Sequence, residues 1–351
     1  MAQNLPKLAE WEQISTNVIR ILGGNPSKFT LQGTNTYLLG RGQRRILIDT
    51  AQGEKAWIST VREALDAQSD KPTSISTAIL THWHPDHIGG VKDLEAVFPD
   101  VKVYKNLPEY DPKEMLDTRR IIDIQDGQRF RTDGDSGNGI EIQAIHSPGH
   151  AKDHMAFIIT ASSDASEVGA IFTADNVLGH GTAVFEDLGL YLDSLALMKR
   201  HVQESVQQLT TSDGVEPKRA AYPGHGAVIE DAVAKIDEYV AHRRMRELEA
   251  LNVLKYGTVK GPEGAVLPGH DSITTVGESD SEGESGAAKE ITSAKEWTSM
   301  EMVKVIYRHY PENLFAPAEY GVLMVLEKLK RDGKVVKTQE GKWRVSEKAT
   351  L

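Results

Sequence analysis

Between positions 82 and 87 the chain carries His82, His84, Asp86 and His87, directly after the apolar run Ile75 to Leu80. Neutral imidazole and carboxylate suit zinc and other borderline divalent cations, and a site without thiolate is more often catalytic than structural. In an extended segment, residues two apart project to the same side, so His82 and His84 can grip one ion. Pro85 fixes a backbone angle suited to a first helical turn, which places Asp86 and His87 at a helix N-terminus facing a neighbouring position. Gly89 and Gly90 let the backbone turn tightly beside the cluster. A second metal close to the first follows from this spacing.

If such a site lies at the ends of strands, its remaining ligands should also follow short apolar runs. Three do: His150 follows IEIQAIH and a Ser-Pro-Gly turn, Asp175 closes GAIFTAD, and His225 follows RAAYP between two glycines. The sum is five histidines and two aspartates, enough for two metals sharing one carboxylate.

The elements that must position these groups are legible in hydrophobic period and punctuation. Strands are expected at 17–22, 36–39, 45–49, 76–80, 101–104, 141–145, 155–159, 169–172 and 219–222, and helices at 56–67, 91–97, 195–209 and 232–254. Strands first with helices interleaved imply two sheets back to back with helices outside, an αββα sandwich in the α/β class. Residues 1–256 form this expected catalytic domain. Residues 257–295, rich in Ser, Gly and acid, read as a disordered linker. Residues 296–351 read as a small domain resembling a winged helix. Thr298 caps a helix whose Met302, Val303, Val305 and Ile306 face inward, a second helix spans 317–331 and ends at Gly333, and strands at 335–337 and 342–345 flank the turn at Gln339, Glu340 and Gly341.

Composition narrows the function. The 351 residues contain no cysteine, which excludes a disulfide framework and thiol catalysis and fits a reducing compartment. No apolar run long enough for a membrane span or a signal peptide is present, so a soluble, cytoplasmic protein without a membrane partner is expected. A net charge of −11 disfavours broad binding to a phosphate backbone.

The ligand pattern resembles the metallo-β-lactamase superfamily, in its glyoxalase II-like branch, over roughly residues 11–250. That resemblance implies that His82, His84 and His150 hold one metal, that Asp86, His87 and His225 hold the second, and that Asp175 bridges them. It implies a pair of divalent ions, with zinc as the default and manganese or iron as alternatives. It also implies that Asp49, closing RRILID, orients a ligand histidine; a plain turn aspartate is the competing reading. His146 and His154 match no metal position and read as near-site or structural.

With GGNPSKFTLQGTNTYLLG at 23–40, TAVFEDL at 182–188 and the winged-helix-like tail, the chain resembles one lactamase-like subfamily. That subfamily includes fungal thioesterases releasing aromatic polyketides from an acyl carrier protein and an animal endoribonuclease acting on single-stranded RNA. The implied chemistry is hydrolysis by water activated at the metals, with Asp86 and Asp175 as catalytic carboxylates that orient it or accept its proton. Asn35 and Tyr37, on one strand face near the site, are expected to contact substrate or to stand behind the groups that do, with ordinary turn or strand packing as the competing reading. The acidic balance, the absence of an Arg-rich transit segment and the lack of interleaved aromatic and basic residues favour an acyl thioester on a carrier protein over RNA. Homo-oligomerisation is left open.

Overall fold

The computed structural model describes residues 5–68, 71–132, 139–210, 219–260 and 295–347. Contacts divide the chain into two compact units, 1–237 and 238–351. The expected boundary at 256 is the last residue of a helix, Ala232–Tyr256, that begins in the first unit. Most of the expected acidic linker, 261–294, lies outside the described residues.

In the first unit, β1 (Trp11–Ser15), β2 (Val18–Leu22), β3 (Asn35–Leu39), β4 (Arg44–Ile48), β5 (Ser74–Leu80), β6 (Lys102–Lys105) and β7 (Ile122–Asp123) form one sheet in chain order. The pairing is antiparallel from β1 to β4 and parallel from β4 to β7. The second sheet is built from β8 (Arg129–Arg131), β9 (Ile140–His146), β10 (Met155–Ser162), β11 (Ile171–Ala174) and β12 (Ala221–Pro223), in the order β12-β11-β10-β9-β8. Side-chain alternation sets the layers. Val18, Tyr37, Leu39, Ile46 and Ile48 meet Ile142, Ala144, Phe157, Ile159, Phe172 and Tyr222 in the core between the sheets. Ile19, Ile21, Leu38 and Leu47 face the other way, onto Trp57, Val61 and Leu65 of α1 (Lys55–Asp66) and Leu94 of α3 (Val91–Val97). On the far side, α4 (Leu188–Thr210) lies along β10 and buries Leu195, Met198 and Val202. The result is the αββα order read from the sequence; each fully buried side chain of this size contributes about 1.5–3 kcal/mol.

The structure departs from the expected elements in two ways. Short strands β1, β7 and β8 were not anticipated, because edge strands of two to five residues with charged positions carry no clean alternation. Helix α4 starts at Leu188, well before the expected residue 195.

The topology explains why the candidate ligands meet. Strands β4 and β5 are parallel neighbours, as are β11 and β12, and β9 is two antiparallel steps from β11. The C-terminal ends of all five therefore emerge at corresponding edges, carrying Asp49, the 81–87 segment, the loop to His150, Asp175 and His225.

The second unit holds the later part of α5 (Ala232–Tyr256), then α6 (Ser299–Ile306), α7 (Phe315–Arg331), β13 (Val335–Lys337) and β14 (Trp343–Val345). Thr298 caps α6 reciprocally: its hydroxyl accepts from the Glu301 amide at 3.2 Å, and its own amide donates to the Glu301 carboxylate at 2.8 Å. Of the four residues expected inward on α6, Met302 and Val303 are buried, whereas Val305 and Ile306 are half-buried. Gly333, at φ +73°, follows the cap of α7. Two helices followed by a hairpin give the winged-helix arrangement. No helix among the described residues is long and apolar enough to cross a membrane.

Candidate metal centre

His84 caps α2 (Pro85–Ile88), with Pro85 at its first position, so the chain passes from extended to helical between His84 and Asp86. Gly89 and Gly90 sit beside this turn at ordinary negative φ. Their role is space rather than backbone freedom: a Cβ on Gly90 would lie 2.1 Å from the Thr50 carbonyl oxygen, and one on Gly89 would lie 2.4 Å from that of Gln52.

All seven predicted side chains converge. His82, His84, His150 and Asp175 form one group of potential ligand atoms within 4.8 Å of one another, and Asp86, His87 and His225 form a second. Asp175 reaches both: its carboxylate oxygens lie 3.6 Å from His150 Nε2, 3.4 Å from His87 Nε2 and 3.3 Å from His225 Nε2. Asp86 Oδ2 lies 3.2 Å from His225 Nε2. Gly224 permits this approach, since a Cβ there would fall 2.2 Å from Asp175 Oδ1. Asp175 itself follows Ala174, which takes φ +43°, a conformation L residues adopt only at a cost of roughly 1–3 kcal/mol.

Asp49 is bonded into the cluster rather than left as a plain turn aspartate. It is buried, and its Oδ2 holds His87 Nδ1 at 2.7 Å. The same carboxylate accepts from the Thr81 amide at 2.8 Å and the Thr81 hydroxyl at 2.9 Å. With its proton committed to Asp49, the Thr81 oxygen accepts from His82 Nδ1 at 3.0 Å. One carboxylate thus leaves Nε2 of both His87 and His82 facing the cluster. His150 Nδ1 donates to the Val184 carbonyl at 2.8 Å, which likewise leaves its Nε2 inward.

Asn35 and Tyr37 do not contact the cleft. Both are buried; the Asn35 amide donates to the carbonyls of Pro223 and Gly226, each at 2.9 Å, and the Tyr37 hydroxyl donates to Pro223 at 2.7 Å. The Asn35 amide nitrogen and the Tyr37 hydroxyl are committed to the turn that carries His225, so the packing alternative describes these residues and the substrate contact does not. His154 is buried; its Nδ1 lies 2.9 Å from the Ser147 hydroxyl, and its Nε2 accepts from the Asp175 amide at 3.3 Å. His146 stays outside, 3.3 Å from the Lys152 carbonyl. Thr81 and the Val184 carbonyl were missed from sequence. Thr81 adjoins the histidine motif, so its position was a signal; no residue type announces a backbone carbonyl.

Electrostatics separate the two groups. Burial and neighbouring histidines hold His82 well below its ordinary range and bring His84 down to about 4, so these rings are neutral. Burial also works against charge on His87 and His225, yet Asp175 and its fellow carboxylates overcome it, holding His87 well above its usual range and His225 at about 9. The second group therefore attracts positive charge. Buried His87 Nε2 and Asp175 Oδ1 have no hydrogen-bond partner, as expected of ligand atoms for a cation.

The cluster floors a cleft of about 890 Å³. Its walls include Phe29, Leu31, Leu178, Ala183 and Val184, and among the described residues Lys28 is its single Lys or Arg.

Residues 29–241 match the family model described as Metallo-beta-lactamase superfamily, and residues 298–343 match the Beta-lactamase associated winged helix domain. Among curated relatives, the lactamase-like protein adaB of Aspergillus niger is 44% identical over 254 residues, spanning 72% of this chain and 68% of that protein. The atrochrysone carboxyl ACP thioesterase AacuM of Aspergillus aculeatus is 40% identical over 276 residues, spanning 78% of this chain and 75% of its own. A beta-lactamase domain protein from Burkholderia ambifaria shares the fold with a TM-score of 0.66 at 17% identity, covering 98% of this chain and 96% of that one.

Proposed function

The chain belongs to the metallo-beta-lactamase superfamily, and from that premise we propose that it is a metal-dependent thioesterase releasing an aromatic polyketide acyl group from an acyl carrier protein. The observation that carries this reading is a carboxylate-imidazole cluster at the floor of a cleft with largely apolar walls and, among the described residues, a single lysine. A polynucleotide needs a basic groove with stacking platforms, whereas an acyl chain needs apolar walls. Relatives named as atrochrysone carboxyl ACP thioesterases, at 40–43% identity, support the same class.

The donor set fits a pair of divalent cations. His82, His84 and His150 would hold one, Asp86, His87 and His225 the other, and Asp175 both; zinc suits this set, as do manganese and iron. When bound, such a pair supplies a Lewis acid for the scissile carbonyl and lowers the pKa of water towards neutrality. The chain's own residues do the rest. Asp49 and Thr81 hold the histidine tautomers, and Asn35 and Tyr37 hold the turn of His225 in place. Asp86 is the most solvent-accessible carboxylate of the cluster and is held ionised, down to about 2, chiefly by His87 against the cost of burial. It orients the attacking water and accepts its proton. The acyl C–S bond breaks as the new C–O bond forms, and the carrier's thiol leaves with a proton.

The test is release of free thiol from acyl thioesters of N-acetylcysteamine, run beside single-stranded RNA, with and without a chelator. Thiol release that chelation abolishes and added zinc restores is expected. RNA cleavage without thioester turnover would overturn the reading.

A further inference from the structure

The two most exposed large hydrophobic side chains among the described residues, Phe29 at 76% and Val184 at 65%, line the same cleft. Neither exposure comes from a slack loop. Around Phe29, the Ser27 amide bonds the Leu31 carbonyl at 3.2 Å, the amides of Phe29 and Thr30 both donate to the Ser27 hydroxyl at 3.1 Å, and the Thr30 hydroxyl donates to the Asn25 carbonyl at 2.5 Å. The Val184 carbonyl accepts from His150, the next ring, Phe185, stacks on Tyr191 at 5.4 Å, and the Glu186 amide is tied to the Gly149 carbonyl at 2.6 Å. In both segments the backbone is pinned while the apolar side chain is left in water. Displaying a large apolar group on a fixed backbone lowers the ordering cost of binding and serves a ligand with an apolar face.

We propose that Phe29 and Val184 form the acyl-chain clamp of this cleft and select acyl groups bearing a flat apolar ring system beside the thioester carbonyl. Val184 couples the two tasks in one residue: its carbonyl orients His150, and its side chain faces the bound acyl group. A flat ring laid on Phe29 gains area and aromatic contact that a short acyl group cannot reach. The cleft of about 890 Å³ has room for several fused rings. This assignment rests on the thioesterase reading and adds to it which residues read the acyl group.

The experiment compares wild type, Phe29→Ala and Val184→Ala on 2-naphthoyl, octanoyl and acetyl thioesters of N-acetylcysteamine, with metal content measured for each protein. Both side chains are largely exposed, so the variants should fold; because the Val184 carbonyl holds His150, Val184→Ala is compared at its own measured metal content. In Phe29→Ala kcat/KM for the naphthoyl thioester should fall about tenfold or more, the octanoyl value less, and the acetyl value by under about twofold; Val184→Ala is read by its naphthoyl-to-acetyl ratio, which should fall about tenfold whatever happens to its acetyl rate. Equal losses on naphthoyl and acetyl substrates, or no loss at all, overturn the clamp. Equal losses on naphthoyl and octanoyl substrates overturn the ring preference. A wild-type protein inactive on all three overturns the thioesterase reading itself, and the clamp with it.

Discussion

Replacing Asp49 by asparagine should cripple metal binding while leaving the fold intact, and the hydrogen-bond network shows how. In the wild type the Asp49 carboxylate accepts three bonds, from the Thr81 amide, the Thr81 hydroxyl and His87 Nδ1, at 2.7–2.9 Å. Asparagine keeps one oxygen for the Thr81 amide but presents an NH2 group where Oδ2 stood. That group donates, so His87 Nδ1 must accept and its proton moves to Nε2, the atom 3.4 Å from Asp175. The Thr81 hydroxyl, now an acceptor from the introduced side-chain amide, turns its own proton to His82 Nδ1 and drives the same tautomer change there. One isosteric substitution thus blocks a ligand atom in each group. Loss of such a partner costs about 10–100-fold in metal affinity, or about 1.4–2.7 kcal/mol per ion at 1.36 kcal/mol per decade. The assay is chelator competition for zinc, with circular dichroism as the fold control and thioester turnover at rising zinc as the functional measure. Thr81→Val is the informative companion, because it spares the Asp49–His87 bond and should weaken only the group containing His82. Two ions held by the Asp49→Asn protein at wild-type affinity would refute the tautomer relay.

Asp175→Ala should abolish turnover and lower metal content in a folded protein, because this carboxylate alone reaches both groups; near-normal activity would remove it from the mechanism. Gly224→Ala should act almost as severely through geometry alone, since its Cβ would fall 2.2 Å from Asp175 Oδ1; retained metal stoichiometry would show that the turn has room to give. Metal uptake should release protons: His225, held at about 9 by Asp175 and Asp86 against burial, is charged below that pH and must lose its proton to offer a lone pair. Affinity at the second group should therefore rise with pH up to about 9, by about tenfold per unit for each proton displaced. Calorimetry in buffers of different ionisation enthalpy reads the release directly, and a heat independent of buffer would contradict it.

How much of this was legible in the sequence depended on whether residue type or residue partner carried the information. The convergence of the seven candidate side chains was legible because they follow apolar runs, and strands ending at one edge must bring those residues together. The fold was legible in its long alternating strands, and poorly so where two-residue edge strands such as β7 leave almost no pattern to read. Helix α4 shows a different failure. Leu188, Tyr191, Leu195, Met198 and Val202 recur at helical spacing and are all buried, yet Gly189 and Asp193 in the first turns disguised the start until packing against β10 overrode local propensity.

Asn35 and Tyr37 mark the limit of reading in one dimension. Polar side chains near a predicted site look like substrate contacts, because sequence says which hydrogen bonds a residue can make and not which it has already made. Here a parallel ladder ends at Pro223, and a turn containing two glycines must hold His225 steady while Gly224 passes against Asp175. That turn presents the carbonyls of Pro223 and Gly226 to strand β3, and a buried carbonyl left unpaired costs about 1–3 kcal/mol. Strand β3 runs beneath, and Asn35 and Tyr37, two apart and on one face, are placed to satisfy both. The demand arises from backbone geometry that exists only once the two sheets have packed. A residue that looked chemical in the sequence is therefore structural in the fold, and it reaches the chemistry by holding His225 in place.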